Sequence, residues 1–324
     1  SRGLRLQDVM RAINDQRSIA RTWLMRGTLH LVASDDLRWM LSLLGPVFAA
    51  TNRRRHAQLG LDDELKANGV AAIRKILAGA GPATRHEIVA RLGQHGIRLD
   101  PRTQAPIHLI QLAALQGVCC LGPERSTGEP TYVLLDDWIP QAPAKSAPMP
   151  NRLALRYFAA YGPATLEDFA AWSGLPIAQA RSAVADASGK LTGLTIRGQT
   201  ALLPKGRLNE WRRAAPPKPS VRLLPAFDTY LLGYRRRDLA VAPPLQRRLQ
   251  RGGGWIHPAV VVDGRAIAAW SLRGKAQRNH IAVEAHEPVA TSIRTGIEEE
   301  AADISRFLNL PISVGFDQYV TVAS

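Results

Sequence analysis

The residues best suited to chemistry in this 324-residue chain are cations and aromatics set close together. From Tyr230 the sequence brings Tyr234, Arg235-Arg236-Arg237, Arg247-Arg248, Gly252-Gly253-Gly254 and Trp255 into one stretch. Guanidinium groups hold phosphate oxygens bidentately and stay charged, and rings among them can stack on bases or wedge between them. A core role for Tyr230 and Trp255 is the alternative. Asp228, in Ala226-Phe227-Asp228-Thr229-Tyr230, is an acid in this basic setting. It either orients arginines or a water, or it caps a turn, as Asp readily does. A second group lies near the start, in Arg21-Thr22-Trp23-Leu24-Met25-Arg26-Gly27-Thr28-Leu29-His30-Leu31. Here Arg21, Arg26, Thr28 and His30 are available to face phosphate. His30 alternates with Leu29 and Leu31, which sets it on the opposite, polar-facing side of a strand.

Patterns of other chemistries do not occur. The chain has no Gly-x-x-x-x-Gly-Lys-Ser/Thr loop, no His-Glu-x-x-His and no Gly-x-Ser-x-Gly elbow. His280, Glu284 and His286 alternate along a strand, yet no Cys or second carboxylate stands near them, so a half-buried strand is the reading and no metal or cofactor is expected. Glu298, Glu299 and Glu300 fall on the solvated face of a helix whose apolar stripe is Ile293, Ile297, Ile304 and Phe307 or Leu308.

The net charge is +15, and it is unevenly placed. Lys205–Arg278, which includes Arg273, holds sixteen Lys/Arg against four Asp/Glu. Proteome-wide drift from lysine to arginine would not gather the excess in one region, so a polyanionic partner is expected, first of all nucleic acid. A hydrophobic content of 46% with 21% charged residues describes a globular chain. No apolar run reaches the roughly 18 residues of a membrane span, and no signal peptide opens the chain. Cys119 and Cys120 are adjacent in an apolar segment. Buried, reduced thiols and a cytoplasmic, nucleoid-associated protein follow as expectations.

The elements that must position these residues can be read in order. Leu6, Val9, Met10 and Ile13 recur at helical spacing. Two apolar runs then meet at Arg26-Gly27-Thr28, where Gly27 can supply the positive φ of a hairpin turn. A helix followed by a hairpin is either the back half of a winged helix, whose last helix enters a major groove, or an ordered β-ribbon packed on the core. Gly81-Pro-Ala-Thr84 returns as Gly162-Pro-Ala-Thr165, 81 residues on. Thr84 with Glu87 forms a capping-box pattern, and Thr165 with Asp168 a shorter relative of it. Each copy follows a helix (Val70, Ile73, Leu77; Leu153, Tyr157, Tyr161) and leads to a second (Ile88, Val89, Leu92; Leu166, Phe169, Trp172). A third helix (Ile107–Leu115; Ile177–Ala187) and a hairpin (Val118–Leu121 with Thr131–Leu135; Leu191–Ile196 with Ala201–Leu203) complete it. From the capping Thr to the first wing strand is 34 residues in one copy and 26 in the other. By that ruler the second helix of the N-terminal module falls before Ser1, and the chain opens inside a first winged helix. Gln141–Pro150 and Ala214–Pro219 read as linkers, and Asp263-Gly264 as a type I′ turn. The expected domains are therefore 1–60 (the end of a first winged helix and a connecting helix), 61–140 and 150–212 (a second and third), and 220–324 (a β-rich basic domain).

Arg21–Val32, Leu223-Leu-Pro-Ala-Phe-Asp-Thr-Tyr-Leu-Leu-Gly-Tyr-Arg235 and Val260-Val-Val-Asp-Gly-Arg-Ala-Ile-Ala-Ala-Trp270 together resemble the winged-helix DNA-binding family that contains the AlkZ-type DNA glycosylases. The resemblance implies an α+β chain of tandem winged helices followed by a C-terminal β-barrel-like domain, arranged as a basic cradle for double-stranded DNA. It further implies removal of alkylated or crosslinked purines, using a Gln-apolar-Gln or Gln-apolar-Asp motif to position the attacking water; a monomer is expected. Neither form of the motif occurs in these 324 residues, and the family carries it upstream of the Arg-Gly-Thr hairpin. No catalytic residue is therefore transferred, and a non-catalytic DNA binder or transcriptional regulator stands as the other reading. Hydrolysis would pass through an oxocarbenium-like sugar. A cationic alkylpurine leaves readily, so a positioned water would suffice.

Overall fold

Both capping pairs close. In the computed structural model, which describes residues 3–139, 149–213, 220–250, 252, 254–275, 278–285 and 287–318, the Glu87 N–H donates to Thr84 Oγ1 (3.2 Å) and the Thr84 N–H to Glu87 Oε2 (2.7 Å). The same exchange joins Asp168 N–H to Thr165 Oγ1 (3.1 Å) and Thr165 N–H to Asp168 Oδ2 (3.0 Å). Two otherwise orphaned donors are satisfied at each site, which fixes where each helix begins. The stretches 141–148 and 214–219, expected as linkers, lie outside the described residues.

The chain divides into two compact units, Gln7–Ala154 with Ser173–Asp186, and the remainder. In the first, α1 (Leu6–Asn14) leads to a hairpin of β1 (Ile19–Trp23) and β2 (Leu29–Ala33), paired from Ile19↔Ala33 to Trp23↔Leu29. Arg26 (φ 57°) and Gly27 (φ 67°) both take the left-handed region in its turn. Next come α2 (Ser34–Thr51), α3 (Arg53–Gln58), α4 (Asp63–Ala80), β3 (Ala83–Thr84), α5 (Arg85–Gln94) and α6 (Ala105–Leu115). The hairpin β4 (Cys119–Leu121) and β5 (Thr131–Leu134) and the short α7 (Leu135–Trp138) follow. The strands form one sheet in the order β2-β1-β4-β5-β3, so both hairpins share it, joined where Arg21 pairs with Leu121. Helix α6 packs at its heart, with Leu109, Ile110, Ala113 and Leu115 buried. Cys119 and Cys120 are buried free thiols, and burial pushes both up, Cys120 to about 12.

One expectation about the first hairpin is reversed. The strand does alternate, but Leu29 (48% exposed) and Leu31 (56%) face solvent while Val32 is buried and His30 half-buried. The cause is the pairing: His30 stands opposite Thr22, which is wholly buried. Side chains directly opposite in an antiparallel pair share a face.

In chain order the second half reads α8 (Pro150–Tyr161), α9 (Leu166–Ser173), α10 (Ile177–Ala187, grouped with the first unit up to Asp186), β6 (Leu191–Ile196) and β7 (Gln199–Pro204). After α11 (Leu208–Arg213) come β8 (Val221–Leu224), α12 (Thr229–Leu232), α13 (Pro243–Leu249), β9 (Ala259–Val262), β10 (Arg265–Lys275), β11 (Arg278–Ala285), α14 (Thr291–Leu308) and β12 (Ile312–Gln318). The element order of the first repeat copy recurs, down to the strand bridge before the capped helix: Ala83 pairs with Tyr132, and Ala164 with Leu202.

The C-terminal strands form an open sheet, β12-β11-β10-β9-β8, and not the barrel-like domain expected. Closure needs the two edge strands to pair. Here β12 returns parallel to β11 through α14, and a parallel crossover lays its helix over a face of the sheet. Ile297 and Ala301 of α14 pack on Val221, Leu223, Val260, Ile281 and Val283. A second buried cluster joins Leu231, Leu245 and Leu249 from α12 and α13 to Val261 and Ala266. Asp263 and Gly264 take φ of 48° and 80°, closing β9–β10 as an Asp-Gly turn should. No helix among the described residues is long and apolar enough to cross a membrane.

Candidate nucleic-acid interface

In the second unit a cavity of about 530 Å³ lies between the start of α9, the β6–β7 turn and the segment that follows α12. An aromatic cluster on α8 and α9 positions part of its lining. Tyr157 stands 5.0–5.4 Å, ring to ring, from Phe158, Tyr161, Phe169 and Trp172. The Tyr157 hydroxyl donates to the Gly233 carbonyl and the Tyr234 hydroxyl to the Tyr161 carbonyl, each at 2.8 Å. Gly233 makes this closeness possible, since a Cβ there would stand 2.6 Å from the Tyr161 ring. Burial pushes the Tyr157 hydroxyl far up and that of Tyr234 to about 12. Both therefore remain protonated donors at any cellular pH.

Two hydroxyls thus fasten the Gly233-Tyr234 segment to α8, and Asp168 fastens the arginines that follow. Its Oδ2 completes the α9 cap, and its Oδ1 accepts from the Arg235 N–H at 2.9 Å. The Arg236 side chain is 81% exposed, 3.2 Å from Asp238, which also meets Arg197 at 3.6 Å. Arg237 differs from its neighbours. Its Nε donates to the Leu231 carbonyl at 2.6 Å, and burial lowers its pKa. Tyr230, Tyr234, Arg235, Arg236 and Arg237 line the cavity, as the sequence pattern suggests, and Asp168 and Arg197 join them. Asp168 is legible in the sequence only as a cap, and nothing in the spacing links it to Arg235.

The remaining candidates stand elsewhere. Asp228 caps α12, accepting from the Tyr230 N–H at 2.8 Å, which is its turn-capping alternative. The Tyr230 hydroxyl donates to the Gly264 carbonyl at 2.7 Å. Arg247 is exposed and Arg248 half-buried, both in the last turn of α13. Arg273 lies on β10, paired with Glu284 (2.7 Å) and Asp317 (3.5 Å), and is not among the cavity's residues. In the first unit Arg21 pairs with Glu124 at 3.0 Å. Thr28 Oγ1 and His30 Nε2 each reach the Met25 carbonyl at 3.1 Å, and Gln111 donates to the Gly27 carbonyl at 2.9 Å. His30 and Thr28 therefore brace the turn that holds Arg26. Desolvation pushes His30 below its ordinary value. His280 meets Ser313 at 3.2 Å, and no cluster of three metal-ligating side chains is present among the described residues, which exclude His286. Glu300 is half-buried and accepts from the Leu223 N–H at 3.3 Å, so it is more than solvated surface.

A mixed α+β chain of this architecture has counterparts among DNA glycosylases. A solved structure, the Streptomyces sahachiroi DNA glycosylase AlkZ, superposes with a TM-score of 0.79 at 26% identity, covering 96% of this chain and 85% of its own. An interstrand DNA cross-link repair glycosylase of Streptomyces sahachiroi is 30% identical over 269 residues, 79% of this chain and 71% of that protein. Residues 1–307 match the family described as DNA glycosylase AlkZ-like. The chain belongs to the AlkZ-like DNA glycosylase family.

Proposed function

We propose that this chain works in DNA repair and binds duplex DNA, as part of a glycosylase that, when full length, hydrolyses the N-glycosidic bond of alkylated or crosslinked purines. The observation that carries the DNA-binding part is the placement of Arg235 and Arg236, exposed beside the cavity on a backbone tied down by Asp168. Fixed cations on a firm base suit a phosphate backbone, because less side-chain and loop freedom is lost on binding. The twice-repeated order of helix, bridge, helix, helix and hairpin reads as two winged helices, with α1 and the first hairpin as the end of another. Of their third helices, α6 is buried on nearly every side while α10 exposes Gln179, Arg181 and Ser182. We assign α10 as the helix free to enter a groove. The setting we propose is a cytoplasmic, nucleoid-associated monomer.

The chemistry follows from the leaving group. An N-alkylated purine already carries positive charge, so the bond to the sugar breaks toward an oxocarbenium-like carbon that a positioned water then attacks. The test is single-turnover release of the base from a duplex bearing one N7-alkylguanine, measured beside DNA affinity as a function of salt. Base release is the expected result for the full-length protein. Replacing Arg235 and Arg236 by Ala should flatten log K against log salt by about 0.9 for each phosphate no longer neutralised. An unchanged slope would remove this loop from the interface. The absence of any Gln-apolar-Gln or Gln-apolar-Asp pair in the 324 residues favours a second reading, a DNA-binding protein or regulator without excision. Tight DNA binding with no base release is the result that would establish it.

A further inference from the structure

Two large aromatics outside the cavity stand side by side in the open. Phe227 is 43% exposed and Trp255 58%, with ring centroids 5.1 Å apart and planes at 51°. Single exposed apolar residues are ordinary on a protein surface; here two large rings adjoin on a braced backbone. The backbone beneath is held firmly. The Phe227 N–H donates to the Ile256 carbonyl (3.2 Å), Asp228 N–H to Pro225 (3.3 Å) and Trp255 N–H to Gly252 (3.1 Å). Ile256, Leu231 and Leu249 anchor both segments in one buried cluster. Phe227 also takes φ of +57°, a region that bulky residues enter only when their surroundings impose it. Glycine would fit this turn without strain. A strained phenylalanine that turns its ring to water, against a tryptophan doing the same, is not explained by packing.

The surroundings select the occupant. The pair lies within the stretch that holds sixteen cations against four acids: Arg235–Arg237 and Arg247-Arg248 fall between Phe227 and Trp255 in sequence, and Arg265 follows ten residues after Trp255. A polyanion that also presents flat apolar faces is DNA in which a base has lost its stacking neighbour. We infer that Phe227 and Trp255 form a stacking platform for such a nucleobase, supporting the duplex where the damaged nucleotide is displaced or removed. This rests on the DNA-binding reading above. Base–aromatic stacking is tolerant of base identity because every base has a π-face, so the platform would serve any sequence around the lesion.

The experiment compares binding of the full chain to an intact duplex and to one carrying a single tetrahydrofuran abasic analogue, by fluorescence anisotropy, with melting temperatures alongside. Wild type should prefer the abasic duplex, and Phe227→Gly and Trp255→Ala should each reduce that preference about tenfold, within the range alanine substitution gives for one stacked base. Phe227→Gly should keep or raise the melting temperature, because it removes the ring and relieves the backbone together, whereas a merely structural phenylalanine would lose stability. If Phe227→Gly fails to fold, Trp255→Ala decides alone. Variants that keep the full preference, or a wild type without one, overturn the platform and leave the glycosylase reading standing. A wild type that binds neither duplex overturns both.

Discussion

Each carboxylate oxygen of Asp168 is committed to a different neighbour, Oδ2 to the start of α9 and Oδ1 to the amide of Arg235. Replacing it with Ala removes a helix cap, which costs about 1 kcal/mol, and it also frees the arginine loop. The variant gains positive charge, so a simple charge count predicts tighter DNA binding. The geometry predicts weaker binding, and denaturant melts with binding isotherms separate the two effects. A Thr165→Ala control loses the cap hydroxyl but keeps Oδ1 for Arg235, so it should lose stability with little change in affinity. Affinity that rises in Asp168→Ala would mean that the placement of the loop does not matter. At this scale the caps were legible because their partners stand three residues apart. The Asp168–Arg235 bond spans 67 positions, a distance at which no spacing rule operates. The bracing of the Gly27 turn by Gln111, 84 positions away, was hidden for the same reason.

Between elements, a titratable pair joins α3 to α6. His56 and His108 stand 5.7 Å apart, ring to ring, with planes at 82°. Burial pushes both pKa values down, with His108 and Lys66 adding to the effect on His56 and Arg55 to that on His108. In the unfolded chain each titrates near its ordinary value, about 6.5. The unfolded state therefore binds more protons as pH falls through that value, and folding stability drops until the lower folded values are reached. The melting temperature should fall between pH 7.5 and pH 5.5, and a His56→Gln/His108→Gln variant should fall less. An unaltered slope in that variant would assign the acid sensitivity elsewhere, with His30, shifted in the same direction, as the next candidate. Helices and hairpins were legible because periodicity and turn chemistry are local: α10 occupies Ile177–Ala187 as its pattern predicts. The pairing of elements was not. Nothing in β1 announces that it will pair with β4, nor in β12 that it returns parallel to β11. The barrel expectation failed at that second point, and the inward turn of His30 follows from its pairing with Thr22.

Across the whole molecule, charge is the property that sequence conveys most directly, because it sums without regard to folding. The excess of +15 is present whatever the pairing of strands. What folding adds is a division of labour among the cations. Arg21, Arg38, Arg74 and Arg273 are drawn into ion pairs with Glu124, Asp136 and Glu284, and Arg237 into the backbone of its own loop, while Arg236, though 3.2 Å from Asp238, keeps 81% of its side chain exposed. Net charge therefore overstates the surface available to a polyanion.

The buried cysteine pair acquires a meaning from the proposed occupation of the protein. Reagents that alkylate purines attack sulfur too, and the thiolate is the form that reacts. Cys119 and Cys120, the chain's two cysteines, are shut away from solvent and stay protonated at any cellular pH. In the folded chain neither Cys119 nor Cys120 would then be offered to such electrophiles. Treated with iodoacetamide at pH 7.5, native protein should show no cysteine adduct by mass spectrometry and denatured protein two, one on each sulfur. Labelling of the native chain at the rate of a free thiol would show that the β4 region opens far more readily than its packing implies.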